Sequence, residues 1–214
     1  MPTALIIGDS HVDHSPMAAE MKRLLEAKGL AVTVAGVGAT SALTWLNQNP
    51  VCRPNRDWCV DVNTLPKRPD WLLVSLGTND AANMAVSNGH PEPIVSNVRK
   101  LIARFAPKSS IWIGPPWLGD KVTYYTNQDN ERLYAAAARA GVPIFDSRIP
   151  TRSFVEAGSG DGVHLGPVGQ KAWAVAVVKE MQKKTIPWLP IAGVAVATFA
   201  AMYLLYTPRD RWFR

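Results

Sequence analysis

Apolar residues in this chain come in short blocks that break abruptly into glycine and polar residues. Between the blocks lie stretches whose apolar positions fall three and four apart. Blocks of the first kind read as strands buried on both faces, and the intervening stretches as amphipathic helices. Strands are expected at TALII (3–7), LAVTVAG (30–36), DWLLVSLG (70–77), SIWIG (110–114) and VPIF (142–145). Helices are expected over 15–28, where Met17, Met21, Leu24 and Leu25 recur at helical spacing, and over 93–106, 127–140 and 167–184. The alternation predicts an α/β domain whose five strands run parallel and are joined by crossover helices. Asn47 to Pro69, rich in proline and asparagine, interrupts the alternation as a loop insertion.

A length of 214 residues, 47% of them hydrophobic, provides for one domain with a real core and an appendage. The formal charge of +6 is scattered rather than gathered into a run, so it points to no particular partner and to no specific nucleic acid. Cys52 and Cys59, both inside the insertion, either close a small loop as a disulfide or stand as free thiols. The amino terminus lacks the basic start, apolar stretch and cleavage site of a signal peptide. Ile186 to Tyr206 carries no charged residue and is long enough to cross a bilayer as a helix, with Trp188 at one end and Tyr203 and Tyr206 at the other. The expected organisation is therefore a domain over 1–184, a transmembrane helix over 185–206 and a basic tail over 207–214. Three basic residues precede the span and three follow it, so its orientation stays open.

Two apolar blocks and one glycine-rich loop run into chemistry-bearing residues. The first strand ends in Gly-Asp-Ser at 8–10, the third in Gly-Thr-Asn-Asp at 77–80, and Asp161 and His164 stand three apart in a glycine-rich loop before the last helix. Each alone reads as turn and capping chemistry, with Asp80 the natural cap of a helix that follows. Together they supply a nucleophile (Ser10), a base (His164) whose tautomer a carboxylate (Asp161) can fix, and an amide donor (Asn79). An open α/β sheet would bring all of them to the carboxyl ends of its strands. A metal site at His11, Asp13 and His14 is disfavoured, because that spacing matches no common ligand pattern.

The same blocks, in this order and at these separations, resemble those of the SGNH (GDSL-type) esterases and lipases over about residues 3–180. The resemblance implies a flavodoxin-like three-layer α/β/α sandwich, with Ser10 as nucleophile, His164 as base and Asp161 as its orienting acid. It also implies an oxyanion hole made of the Ser10 N–H, a glycine N–H after the second strand and the Asn79 side chain, and it implies no cofactor or metal. Gly36 and Gly38 compete for the glycine position. Gly38 is preferred because Ala-Thr-Ser follows it and could open a helix whose first N–H groups face the site. The asparagine that often precedes this glycine in the family is missing. No Gly-x-Ser-x-Gly elbow is present, so a standard α/β-hydrolase is disfavoured.

The expected activity is hydrolysis of acyl esters, O-acetyl groups on cell-envelope carbohydrate foremost. A lipid esterase, lysophospholipase or thioesterase is the alternative within catalysis, and a non-catalytic, membrane-anchored binding module the alternative outside it. A single apolar segment near the end, with no leader, suggests a membrane-anchored protein of undecided sidedness. A virion component would reconcile a cell-envelope substrate with that layout.

Overall fold

The expected strands are β1 (Thr3–Gly8), β2 (Ala31–Gly36), β5 (Trp71–Ser75), β6 (Ser109–Ile113) and β7 (Ile144–Phe145), with a short pair, β3 (Val51–Cys52) and β4 (Cys59–Val60), in the insertion. A computed structural model describes residues 1–185, and Met1–Met181 form the unit that contains every strand. Five strands form one parallel sheet in the order β2-β1-β5-β6-β7. The order reverses at β1, where a doubly wound sheet opens its ligand crevice.

Successive side chains of a strand point to opposite faces, and both faces of this sheet are covered by helices. Ala4 and Ile6, with Leu73 and Ile111, pack against Met17, Met21 and Leu25 of α1 (Pro16–Glu26) and against Trp173 and Val177 of the last helix. Leu5 and Ile7, with Leu72 and Trp112, pack against the helices of the other face. Those are α2 (Ala42–Asn47), α3 (Thr78–Val86), α4 (Glu92–Phe105) and α5 (Asn127–Arg139). The chain then forms α6 (Arg148–Glu156) and α7 (Pro167–Thr185). This double coverage is why the strands read as unbroken apolar runs. The largest fully buried side chains, Trp45, Trp112 and Trp173, each place the indole N–H on an acceptor: Thr40 Oγ1 at 3.0 Å, the Leu76 carbonyl at 2.7 Å and Ser147 Oγ at 3.0 Å. Left unpaired, each such N–H would cost about 1–3 kcal/mol.

Helix α6 was not expected, and α2 and α3 were foreshadowed only by start signals, the Ala-Thr-Ser after Gly38 and the Asp80 carboxylate. Each is too short for an apolar period to declare itself, and local capping and tertiary contacts settle them instead. A reciprocal capping box between Ser41 and Thr44 starts α2. Asp80 is not the cap of the helix it precedes in sequence: α3 already begins at Thr78, and the Asp80 carboxylate instead accepts the Ala42 N–H at the start of α2, at 3.0 Å. The 47–69 insertion is more ordered than a loop. Its β3 and β4 pair antiparallel, with Cys52 opposite Cys59, and the two cysteines are joined as a disulfide. The expected membrane span over 186–206 and the basic tail over 207–214 lie outside the described residues. Among the described residues, no helix is long and apolar enough to cross a membrane.

One close approach governs how β1 and β2 meet at their carboxyl ends. A Cβ on Gly36 would collide with the backbone of Val12 and Asp13, in the turn that follows β1. Gly36→Ala is therefore expected to destabilise the fold by about 1–3 kcal/mol, the usual cost of overpacking a tight site. The denaturant midpoint in urea measures it, and a midpoint equal to wild type would mean that the turn can move away freely.

Candidate active site

Register places the pieces. Gly8 of β1 stands opposite Gly36 of β2 on one side and Ser75 of β5 on the other. Ser10, Gly38 and Asn79 follow these residues by two to four positions, so all three emerge at one edge of the sheet. The turn after β1 is held by the Val12 and Asp13 N–H groups, both donating to the Asp9 carbonyl at 2.9 Å. Ser15 then caps α1, accepting from the Ala18 N–H, with Pro16 at the first helical position.

His164 and Asp161 arrive from the loop before α7. Ser10 Oγ lies 2.8 Å from His164 Nε2, and His164 Nδ1 lies 2.9 Å from Asp161 Oδ2. The other carboxylate oxygen, Oδ1, accepts the backbone N–H groups of His164 at 2.7 Å and Val163 at 2.8 Å. The loop closes on itself so tightly that a Cβ on Gly160, at φ +87°, would run into the His164 carbonyl. Partial burial pushes the Asp161 pKa up, but the His164 and Val163 N–H groups and the imidazole outweigh this and hold it at about 2. An ionised carboxylate only accepts hydrogen bonds. His164 Nδ1 must then carry the proton, which leaves the Nε2 lone pair facing the serine hydroxyl.

Asn79 Nδ2 donates to the Thr40 carbonyl at 2.9 Å and makes a longer contact, 3.4 Å, with Asp9 Oδ2. Gly38 comes to the same edge, but its N–H donates to Asp13 Oδ2 at 2.8 Å and is not free to meet a substrate oxygen in this arrangement. The physical reason is the carboxylate of Asp13, only 4% exposed, which the turn after β1 aims at the loop after β2. His11 and His14 do not converge on one point. The His11 ring is buried between His164 (5.1 Å) and Trp173 (5.2 Å), while His14 is exposed and faces Trp58. Burial, and then the proximity of His164, hold the His11 pKa down to about 3, so a neutral ring stands beside the base.

Sequence reading did not single out three neighbours of the site. Asp9 is fully buried, with Oδ1 accepting the His11 N–H. A carboxylate between a buried strand and a serine is the signal that could have found it. Arg53 and Tyr125 left no local signal, because only the fold brings them near. Two cavities flank the site. One of about 350 Å³ is lined by Trp117, Asn127 and Gly162, and one of about 630 Å³ lies between α1 and Trp58. Neither is lined by Ser10 or His164.

A family model described as the GDSL-like lipase/acylhydrolase family matches residues 6–172. The chain belongs to that family and is a carboxylic ester hydrolase. No curated protein sequence matches it significantly. Among solved structures it is similar to an acetylxylan esterase from Geobacillus stearothermophilus (TM-score 0.60, 15% identity, 89% of this chain and 97% of the other). It is also similar to a carbohydrate acetylesterase family member from Sinorhizobium meliloti (0.60, 16%, 86% and 98%). A third is a member of the lipolytic G-D-S-L family from Veillonella parvula DSM 2008 (0.58, 15%, 85% and 99%). At these identities the likeness is one of fold.

Burial raises the Asp9 pKa from 3.8 to about 7; the His11 N–H opposes that rise and the nearby Asp80 charge adds to it. Burial likewise raises Asp80 to about 6. A carboxyl group raised in the folded state holds a proton that the unfolded chain releases near pH 4. Its contribution to stability is complete below that pH and is lost as pH rises through about 7. Wild type should therefore lose unfolding free energy between about pH 4 and 7, and Asp9→Asn, which keeps an acceptor for the His11 N–H, should flatten that fall. Urea titrations across the range test this; an unchanged slope in the variant would place the proton elsewhere.

Proposed function

We propose that this esterase hydrolyses short acyl esters, O-acetyl groups on carbohydrate foremost, with Ser10 as nucleophile, His164 as general base and acid, and Asp161 as the orienting carboxylate. The observation that carries the assignment is the unbroken hydrogen-bond series Ser10 Oγ, His164 Nε2, His164 Nδ1, Asp161 Oδ2. Ser10 Oγ attacks the ester carbonyl carbon as its proton passes to Nε2. The tetrahedral oxyanion accepts from the Ser10 N–H and from the Asn79 amide, whose second hydrogen is held only by the long contact with Asp9. Collapse of the intermediate expels the alcohol, which takes the proton from Nε2. Water then attacks the acyl-enzyme, giving its proton to the same nitrogen, and the acid leaves with Ser10 restored.

One point supports a short acyl group on a large alcohol: two fold relatives carry names that refer to acetylated carbohydrate. The uncharged apolar run over 186–206 supports attachment to a membrane, on either side, which would hold the domain beside an envelope substrate.

Nitrophenyl esters of increasing chain length test both parts. Wild type should prefer acetate over octanoate. Ser10→Ala should lose at least about a thousandfold in kcat, and Asp161→Asn roughly 10²–10⁴-fold with KM little changed. Retained turnover in Ser10→Ala would overturn the nucleophile assignment. A preference for octanoate would replace carbohydrate acetate with a lipid ester.

A further inference from the structure

The insertion reaches the site through one carboxylate. Arg53, directly after Cys52, places Nε 2.7 Å and Nη2 2.6 Å from Asp13 Oδ2, the oxygen that also accepts the Gly38 N–H at 2.8 Å. Asp57 in the turn of the hairpin accepts from the other edge of the guanidinium, its Oδ2 3.3 Å from Nη1, and Arg53 N donates to the Trp58 carbonyl across the hairpin. Trp58 Nε1 then donates to the Gly36 carbonyl at 2.9 Å, and its ring lies against His14. The hairpin thus grips both sides of the Val37–Thr40 loop's first half. That loop's far end presents the Thr40 carbonyl that holds the Asn79 amide.

We propose that the disulfide-closed hairpin is the positioning element of the oxyanion side of this site: Arg53, acting through Asp13, fixes the Gly38 peptide and thereby the loop that orients Asn79. The inference rests on the Ser10 esterase reading. Arg53 touches no reacting atom. It acts through Asp13, and Asp13 through the backbone of Gly38, so its loss misplaces a donor without removing one. Such misplacement lowers kcat and leaves ground-state binding largely intact.

The test compares the full chain with Arg53→Met, Arg53→Lys and the double variant Cys52→Ser/Cys59→Ser, using nitrophenyl acetate. Arg139→Met, which breaks an exposed ion pair with Glu92, serves as control. Arg53→Met should lose roughly ten- to a hundredfold in kcat with KM within about twofold, and Arg53→Lys should recover part of it. Affinity for phenylboronic acid, which adds to Ser10 Oγ as a tetrahedral anion, should fall in parallel with kcat. The double cysteine variant should move both quantities the same way by a smaller factor, and the control should move neither. Wild-type kcat and boronate affinity in a folded Arg53→Met overturn the inference while leaving the esterase reading in place. If Arg53→Met does not fold, Arg53→Lys and the double cysteine variant decide by the same two readouts. Loss of activity in wild type itself would be a failure of the Ser10 reading.

Discussion

The parallel pairing of β1 with a strand on each side is the constraint on which the site depends. With Gly8 in register with both Gly36 and Ser75, the turns that follow three strands are forced to one edge within a few residues of each other. Each turn has room only because its neighbour yields it, as the contact between Gly36 and the Val12–Asp13 backbone shows. The position of Ser10 therefore follows from the core beneath it: Ile6 and Ile7 face opposite hydrophobic layers and leave β1 no freedom to slip, since a one-residue shift would exchange its two faces.

Around this edge the protein sets three carboxylates in three environments. Asp161 lies in an open loop, bonded by backbone N–H groups and imidazole, and stays ionised to about pH 2. Asp9, one residue from the nucleophile, is buried and pushed up to about 7. Asp80, also raised by burial, ties α3 to the start of α2. The difference between a charged carboxylate that orients a histidine and a buried one that braces the backbone is a difference of solvation and of N–H donors, not of residue type. The neutral ring of His11 beside His164 belongs to the same pattern, since a second cation there would oppose protonation of the base.

The insertion between β2 and β5 shows how an edge strand is put to use. β2 has a partner on one side only, so the outer side of its carboxyl end is left unbraced by the sheet. The hairpin supplies the missing contacts from outside, through Trp58 on the Gly36 carbonyl and Arg53 on the Asp13 carboxylate. A surface pair of this kind is ordinarily worth little. In this protein the Asp13 side chain is almost fully covered and the same oxygen also accepts a backbone N–H, so the pair stands in a fixed geometry.

How far the sequence reached can be argued residue by residue. The five parallel strands and the longer helices were legible because strands buried on both faces and helices with one apolar stripe leave periodic marks. Ser10 and Asn79 were legible as candidates because each sits where an apolar block breaks into polar residues, and Asp161 and His164 because they stand three apart in a glycine-rich loop before a helix. Helix α6 was not legible, since nine residues carry too little period; α2 showed only through the Ala-Thr-Ser that could open it, and the helix that Asp80 caps was misread because its partner lies thirty-eight residues away. The disulfide stood open against free thiols until the hairpin set Cys52 opposite Cys59. The N–H of Gly38 was expected to face a substrate, and tertiary structure directed it to Asp13 instead. Local periodicity and turn chemistry are properties of neighbours in sequence, and so the sequence by itself determined the elements and the candidate nucleophile and base. Which carboxylate meets which N–H, and which arginine reaches the loop after β2, depends on groups brought together only when the sheet closes, and only the tertiary structure decided these.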